Sequence, residues 1–179
     1  MNILDLSLSI SADMPMFRGD RQPEIEQVNE FGRDGWNMKR LHVSTHDGTH
    51  VNAQSHGVRN GRTLDEYPIA SFMGPATLFE GNVAAGHSRR RTQCGIVFRD
   101  QNISWAELSW LRETRPSFVG LSLKYELDLA IEKELLNLDL VVYERLANTG
   151  LLPRKFFFCG VPLRIENGDG SPVRAFAMF

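Results

Sequence analysis

Four of the chain's five histidines, His42, His46, His50 and His56, fall within fifteen residues. The run His46-Asp47-Gly48-Thr49-His50-Val51-Asn52-Ala53-Gln54-Ser55-His56 sets imidazoles beside a carboxylate and two amides, around an Asp-Gly turn signal. Imidazole nitrogens suit zinc, manganese or iron, and a catalytic centre needs three protein ligands and an open position for water. Residues two apart on a strand share a face, so His50, Asn52 and Gln54 are expected to point together. The turn brings His46 back toward that face, and His56 is left to shuttle protons. A His-x-x-x-His pair is common by chance. Spacing alone therefore leaves two readings open: a metal centre, or structural histidines with satisfied hydrogen bonds.

Extended segments must carry this run. Lys39 to His46 alternates, with Leu41, Val43 and Thr45 on one face and His42, Ser44 and His46 on the other; extended structure resumes from Thr49 to Ala53. His42 reads as a residue that orients a ligand or as a structural histidine. Ile3 to Ile10 alternates as a strand, and Pro15, Gly19-Asp20 and Pro23 then break the pattern into a loop. Short apolar runs at Pro75 to Glu80, Cys94 to Phe98, Phe118 to Leu123, Leu140 to Tyr143, Phe156 to Ile165 and Val173 to Phe179 suit strands. The last two are joined by the turn Asn167-Gly168-Asp169-Gly170. Ser104-Trp105-Ala106-Glu107 is a capping box opening a helix to about Thr114. Leu127, Ile131, Leu135 and Leu138 mark a helical stripe over Glu126 to Asn137. The expected class is α+β, a mixed, largely antiparallel sheet curled toward a barrel with flanking helices.

Length and composition bound the rest. The 179 residues suit a single domain, 1–179, and 42% hydrophobic with 23% charged residues is ordinary globular usage. Twenty basic against twenty-two acidic side chains argue against nucleic acid as the partner. Arg89-Arg90-Arg91 beside His87 reads as a solvated turn. No apolar run reaches the roughly 18 residues of a membrane span, and Met1 to Asp5 has no basic leader. Cys94 and Cys159 read as buried free thiols of a reducing, cytoplasmic compartment. The sequence carries no P-loop, dinucleotide fingerprint or nucleophile elbow.

The histidine run resembles the signature H-x-G-T-H-x-D-x-P-x-H of the cyclase-like metal-dependent hydrolases, which include bacterial kynurenine formamidase and isatin hydrolase. His46, Gly48, Thr49, His50 and His56 match in register. Pro15-Met16-Phe17-Arg18-Gly19-Asp20 is similar to the family's P-x-W-P-G-D loop. Val161 to Ile165 and Gly168 to Ala175 are similar to its closing segment, and Leu140 to Glu144 to the strand that delivers a metal-binding glutamate. The likeness runs nearly end to end and is thinnest from about Gly81 to Arg115.

The resemblance implies metal ligands at His46, His50 and Glu144, and an acid/base at His56. Phe17 lies where the family's aromatic loop stacks on substrate, or is a plain core or interface residue; Arg18 and Arg174 read by default as surface or ion-paired charges, with a grip on a carboxylate as the alternative. Asn52 stands in place of the family's bridging aspartate, Gln54 in place of proline, Phe17 in place of tryptophan, and Glu132 in place of a second-metal histidine. An amide oxygen binds a metal without bringing charge. One divalent ion, zinc or manganese, on His46, His50 and Glu144, with Asn52 at its edge, is the expectation, and Glu132 is then a base, a distant ligand or a hydrogen-bond partner of the Asn52 amide; a metal-free pocket worked by Glu132 and His56 is its rival. The expected function is metal-dependent hydrolysis of an amide, lactam or ester of a small molecule. The alternatives are cyclisation, dehydration or isomerisation, or ligand binding without turnover. Family members assemble as dimers or larger oligomers, so a homodimer or higher homo-oligomer is expected.

Overall fold

A computed structural model describes residues 1–17, 19–81, 83 and 90–179. Arg18, His87 and Arg89, each singled out from the sequence, lie outside them. Among the described residues eleven strands are formed: β1 (Ile3–Asp5), β2 (Glu24–Asn29), β3 (Met38–His42), β4 (His50–Asn52), β5 (Met73–Phe79), β6 (Gly95–Phe98), β7 (Phe118–Ser122), β8 (Val141–Leu146), β9 (Lys155–Cys159), β10 (Gly170–Pro172) and β11 (Phe176–Met178). The helices are α1 (Phe31–Asp34), α2 (Trp105–Thr114) and α3 (Leu129–Asn137).

Nine strands make one curled, half-barrel sheet in the order β1-β11-β9-β5-β6-β7-β8-β4-β10. Its centre, β5 to β8, is parallel and the flanking pairs are antiparallel, so the expected mixed α+β class stands. The central strands are continuous apolar runs because both faces are covered. Val97, Phe118 and Tyr143 pack on one face with Phe156, Phe158 and Ala177. Their neighbours Ile96, Val119 and Val142 pack on the other face, against Leu108 and Leu111 of α2 and Ile131 and Leu135 of α3. Full burial of a leucine such as Leu111 or Leu135 contributes about 1.5–3 kcal/mol.

Local chemistry sets the element ends. Ser104 and Glu107 form the expected capping box of α2. Helix α3 begins at Leu129, later than the apolar stripe suggests, because Asp128 accepts from the amides of Ala130 (2.9 Å) and Ile131 (3.3 Å). The alternation of Ile3 to Ile10 yields only β1, because the Ser7 amide turns back to the Asp5 carboxylate and Leu8 N bonds the Thr49 hydroxyl instead of a strand. Strand β3 stops at His42, since the Ser44 amide closes a turn onto Asp47 Oδ2 at 2.8 Å. Strand β9 ends at Cys159 because Gly160 N leaves the ladder for Phe72 O.

Strand β3 falls within the extended segment expected from Lys39 to His46, but its partner in a separate hairpin, β2, lies where only a loop was expected. The hairpin's ladder shifts register between Gln27 and Asn29, and β3 has no buried residue. Phe31 and Trp36 at its tip are 69% and 61% exposed, and Leu41 on β3 is 55% exposed. His42 lies exposed on this hairpin, across from Glu24 and away from the other histidines.

Candidate active site

Strand β4 lies between β8 and β10, with His50 opposite Glu144 and Asn52 opposite both Val142 and Gly170. Alternation sends Val51 into the core beside Tyr143, while His50, Asn52 and Glu144 face the α3 side. Gln54 leaves this face: it sits in a 3-10 turn (Gln54–His56), and its Oε1 accepts from Arg62 N. That turn carries His56 back over the site. Helix α3 adds Glu132, buried near its N-terminus.

The motif's small residues have structural tasks. Gly48 takes a φ of +65°, which suits glycine. The Thr49 hydroxyl accepts from Leu8 N at 2.9 Å and donates to Arg145 O at 2.7 Å, tying β4 to the end of β8. Arg145, next to Glu144, itself adopts a φ of +58°. A Cβ on Gly170 would meet His46 Cε1 at 2.5 Å, so β10 must carry glycine there to admit the imidazole.

Asn52 is the hub of the polar network. Its Nδ2 donates to Glu132 Oε1 at 2.9 Å and to Glu144 Oε1 at 2.8 Å. Two carboxylate acceptors fix the amide's orientation, so Oδ1 must accept, from His46 Nδ1 at 2.9 Å. The other His46 nitrogen, Nε2, lies 2.9 Å from Asp169 Oδ2. His56 Nδ1 is 3.3 Å from the same oxygen, and His56 Nε2 is 3.4 Å from Glu132 Oε1. Thr45 Oγ1 donates to the second Asp169 oxygen at 3.0 Å. His50 donates Nδ1–H to Gly48 O at 2.9 Å and turns Nε2 toward Glu144 Oε1 at 3.7 Å.

Electrostatics separates the three carboxylates. Burial and the nearby Glu144 charge raise Glu132 from 4.5 to about 7, against His50 and the Asn52 amide. Burial also works against ionisation of Glu144, yet the hydrogen bond and charge of His50 hold it below its ordinary value. For Asp169, desolvation is outweighed by His46, Thr45 and His56, which bring it down to about 2. Burial pushes His56 below its ordinary value, helped by His46 and opposed by Asp169.

These groups open onto a cavity of about 270 Å³ whose walls include Phe17, Tyr125, Leu127, Leu129 and Arg145. His46, His50, His56, Glu132, Glu144 and Phe17 are thus brought to one place. Asn52 lies beneath them, fully buried. Arg174 takes the ion-pair role that was its default reading, bound to Asp5 at 2.7 Å outside the site. Asp169 and Arg145 were missed in the sequence. The signal for Asp169 was its place in the closing segment that resembles the family, where it was read only as part of a turn.

The donor set fits a divalent ion. Among the described residues, His46, His56 and Asp169 each offer a ligand atom, all within 4.8 Å of one another. Two imidazoles and a carboxylate make a common transition-metal set. The sequence-expected trio of His46, His50 and Glu144 is not gathered in this way, because both His46 nitrogens are directed to Asn52 and Asp169.

A half-barrel sheet with a histidine-carboxylate cluster at the end of β4 is the architecture of a cyclase-type hydrolase. The Cyclase family model matches residues 4–120. A kynurenine formamidase of Salinibacter ruber is 28% identical over 98% of this chain and 96% of its own. Cyclase-like protein 2 of Oryza sativa subsp. japonica is 25% identical, over 96% of this chain and 77% of its own. In structure, isatin hydrolase A from Labrenzia aggregata superposes with a TM-score of 0.80 at 21% identity, over 98% of this chain and 93% of that one. The chain belongs to the cyclase family, as its histidine motif led one to expect.

Proposed function

We propose that this protein hydrolyses the C–N bond of a small amide or lactam, with an ester as the close variant, assisted by one divalent ion, zinc or manganese. One observation carries this reading: Glu132, held near pH 7, stands 3.4 Å from His56 at the wall of a cavity that also presents the metal-binding cluster. The kynurenine formamidase and isatin hydrolase relatives support an amide-type bond as the target.

A divalent ion held by the His46, His56 and Asp169 cluster would polarise a substrate carbonyl and lower the pKa of water. Proton transfer belongs to the Glu132–His56 pair. Glu132 takes a proton from the attacking water as the C–O bond forms, and returns it to the nitrogen as the C–N bond breaks; a group titrating near the working pH does both. Asn52 holds the ring of His46 and both glutamates in register. Phe17, half exposed on the cavity wall, offers a face for a flat aryl group. Arg145 offers a guanidinium to a carboxylate, with its NH1 anchored on Pro15 O.

The reading extends to the whole molecule. A single unit over 1–179 is supported by strand order, since β1 pairs with β11 and β4 with β10. A homodimer or higher oligomer is supported by the apolar hairpin tip, where a second copy would cover Phe31, Trp36 and Leu41. A cytoplasmic location is supported by the unpaired Cys94 and Cys159, both half-buried. No helix among the described residues is long and apolar enough to cross a membrane.

The test is a turnover assay on N-formyl arylamines, aryl lactams such as isatin, and aryl esters, with Mn²⁺ or Zn²⁺ supplied. Hydrolysis of at least one class, lost on chelation and restored by the ion, is the expected result. Complete inertness toward all three classes in the presence of either ion sinks the reading.

A further inference from the structure

We propose that the divalent ion is held by His46 Nε2, His56 Nδ1 and Asp169 Oδ2, so that His56 acts as a ligand and Asp169 supplies the anionic one. The inference rests on the hydrolase reading above for the ion's use, but on hydrogen-bond logic for its place.

The logic starts at Asn52. Because its Nδ2 is committed to Glu132 and Glu144, its Oδ1 accepts the His46 Nδ1 proton. His46 Nε2 then faces Asp169 Oδ2 at 2.9 Å, a place where a divalent ion would replace a shared proton. The same holds for His56. His56 Nε2 faces Glu132 Oε1 at 3.4 Å while its Nδ1 faces Asp169 Oδ2 at 3.3 Å. Two ring nitrogens and one carboxylate oxygen therefore converge.

The spacing suits an ion. Ligand atoms at about 2.1 Å from one metal sit roughly 3.0–3.5 Å apart. Separations of 2.9 and 3.3 Å to the shared oxygen are close to this before any relaxation. Every ligand also has an outer partner that aims it: Asn52 for His46, Glu132 for His56 and the Thr45 hydroxyl for Asp169. Gly170, next to Asp169, leaves the gap that the His46 ring fills.

The Asn52 amide nitrogen meanwhile lies between Glu132 and Glu144, where its two N–H donors satisfy both carboxylates. With His56 coordinating through Nδ1, its Nε2 stays against Glu132, and that pair still moves the proton. His50 Nε2 and Glu144 Oε1, 3.7 Å apart, line the wall beside the ion.

Titration of the metal-free protein with Mn²⁺ alone, followed by the loss of free Mn²⁺ signal in electron paramagnetic resonance, tests the assignment. One equivalent binds the unmodified protein. Asp169→Asn and His56→Gln weaken binding at least roughly 100-fold, while His50→Gln and Glu144→Gln change it less than about threefold. The reverse pattern overturns the assignment, as does an unmodified protein that binds no Mn²⁺ at millimolar concentration. Should a variant fail to fold, ¹⁵N-histidine spectra of the unmodified chain decide: Zn²⁺ must shift His46 Nε2 and His56 Nδ1, and a shift at His50 Nε2 instead defeats the idea. Turnover of the amide panel is scored separately, so a metal at another set of ligands leaves the hydrolase reading intact.

Discussion

The Asn52 amide and the Glu132 carboxylate, eighty positions apart in the chain, are joined by a buried hydrogen bond of 2.9 Å. Against the family signature, one position has lost a carboxylate and the other has gained one, and the bond shows how the two changes fit. An amide N–H needs an acceptor, and Glu132 provides it. Asn52→Asp alone sets a third carboxylate against Glu132 and Glu144, at an expected cost of about 2–4 kcal/mol. Adding Glu132→His relieves the repulsion. Urea denaturation of the two single variants and the double variant reads the coupling; additive losses contradict it.

Glu132 makes stability depend on pH. Its pKa in the folded chain is raised to about 7 from an ordinary 4.5, so the native state holds a proton that the unfolded state has released. The stability from this group is present below about pH 4.5 and lost as pH rises through 7. At pH 8 the buried charge costs on the order of 3 kcal/mol. Glu132→Gln keeps an acceptor for Asn52 and removes the charge. Its melting temperature in metal-free buffer should exceed that of the unmodified protein at pH 8, with the gap closing toward pH 4.5.

The same substitution should cost activity. Loss of the proton carrier lowers kcat by about 10²–10⁴ with KM little changed. A variant more stable at pH 8 and far less active separates a catalytic role from a packing role. Unchanged kcat on a hydrolysed substrate removes Glu132 from the mechanism.

Gly170→Ala tests how the closing segment supports His46. The added methyl meets the His46 ring at 2.5 Å and Val51 O at 3.0 Å, so the ring must turn away. Overpacking of this kind costs about 1–3 kcal/mol. Turnover should fall more than tenfold while cooperative unfolding is retained. Activity equal to the unmodified protein shows that the ring position is not required.

Leu41→Asp on β3 tests the hairpin as a contact between copies. The side chain is 55% exposed and its strand buries nothing, so the monomer fold should tolerate the charge. Light scattering should report a smaller species than for the unmodified chain. An unmodified chain that is monomeric at micromolar concentration rejects the oligomer.

Much of this was legible in the sequence because it is local. The capping box at Ser104 forms from groups three residues apart, and the apolar runs of the central sheet became strands of nearly the expected length. Local rules failed where a distant partner competed. Leu8 left its strand for Thr49, and Gly160 left β9 for Phe72. Alternation marked β3, but its partner β2 was invisible, because most of β2 is exposed and it follows the breaks at Pro15, Gly19-Asp20 and Pro23.

By itself the sequence determined the family, the sheet-rich class and the gathering of His46, His50 and His56, since a single motif on one strand and one turn encodes them. Only the tertiary structure decided which groups surround each imidazole. Asp169 reaches His46 across 123 positions, and Asn52 reaches Glu144 across 92. The direction of a ring nitrogen follows from the acceptor it meets, and that acceptor arrives through strand order and register, which no spacing along the chain contains.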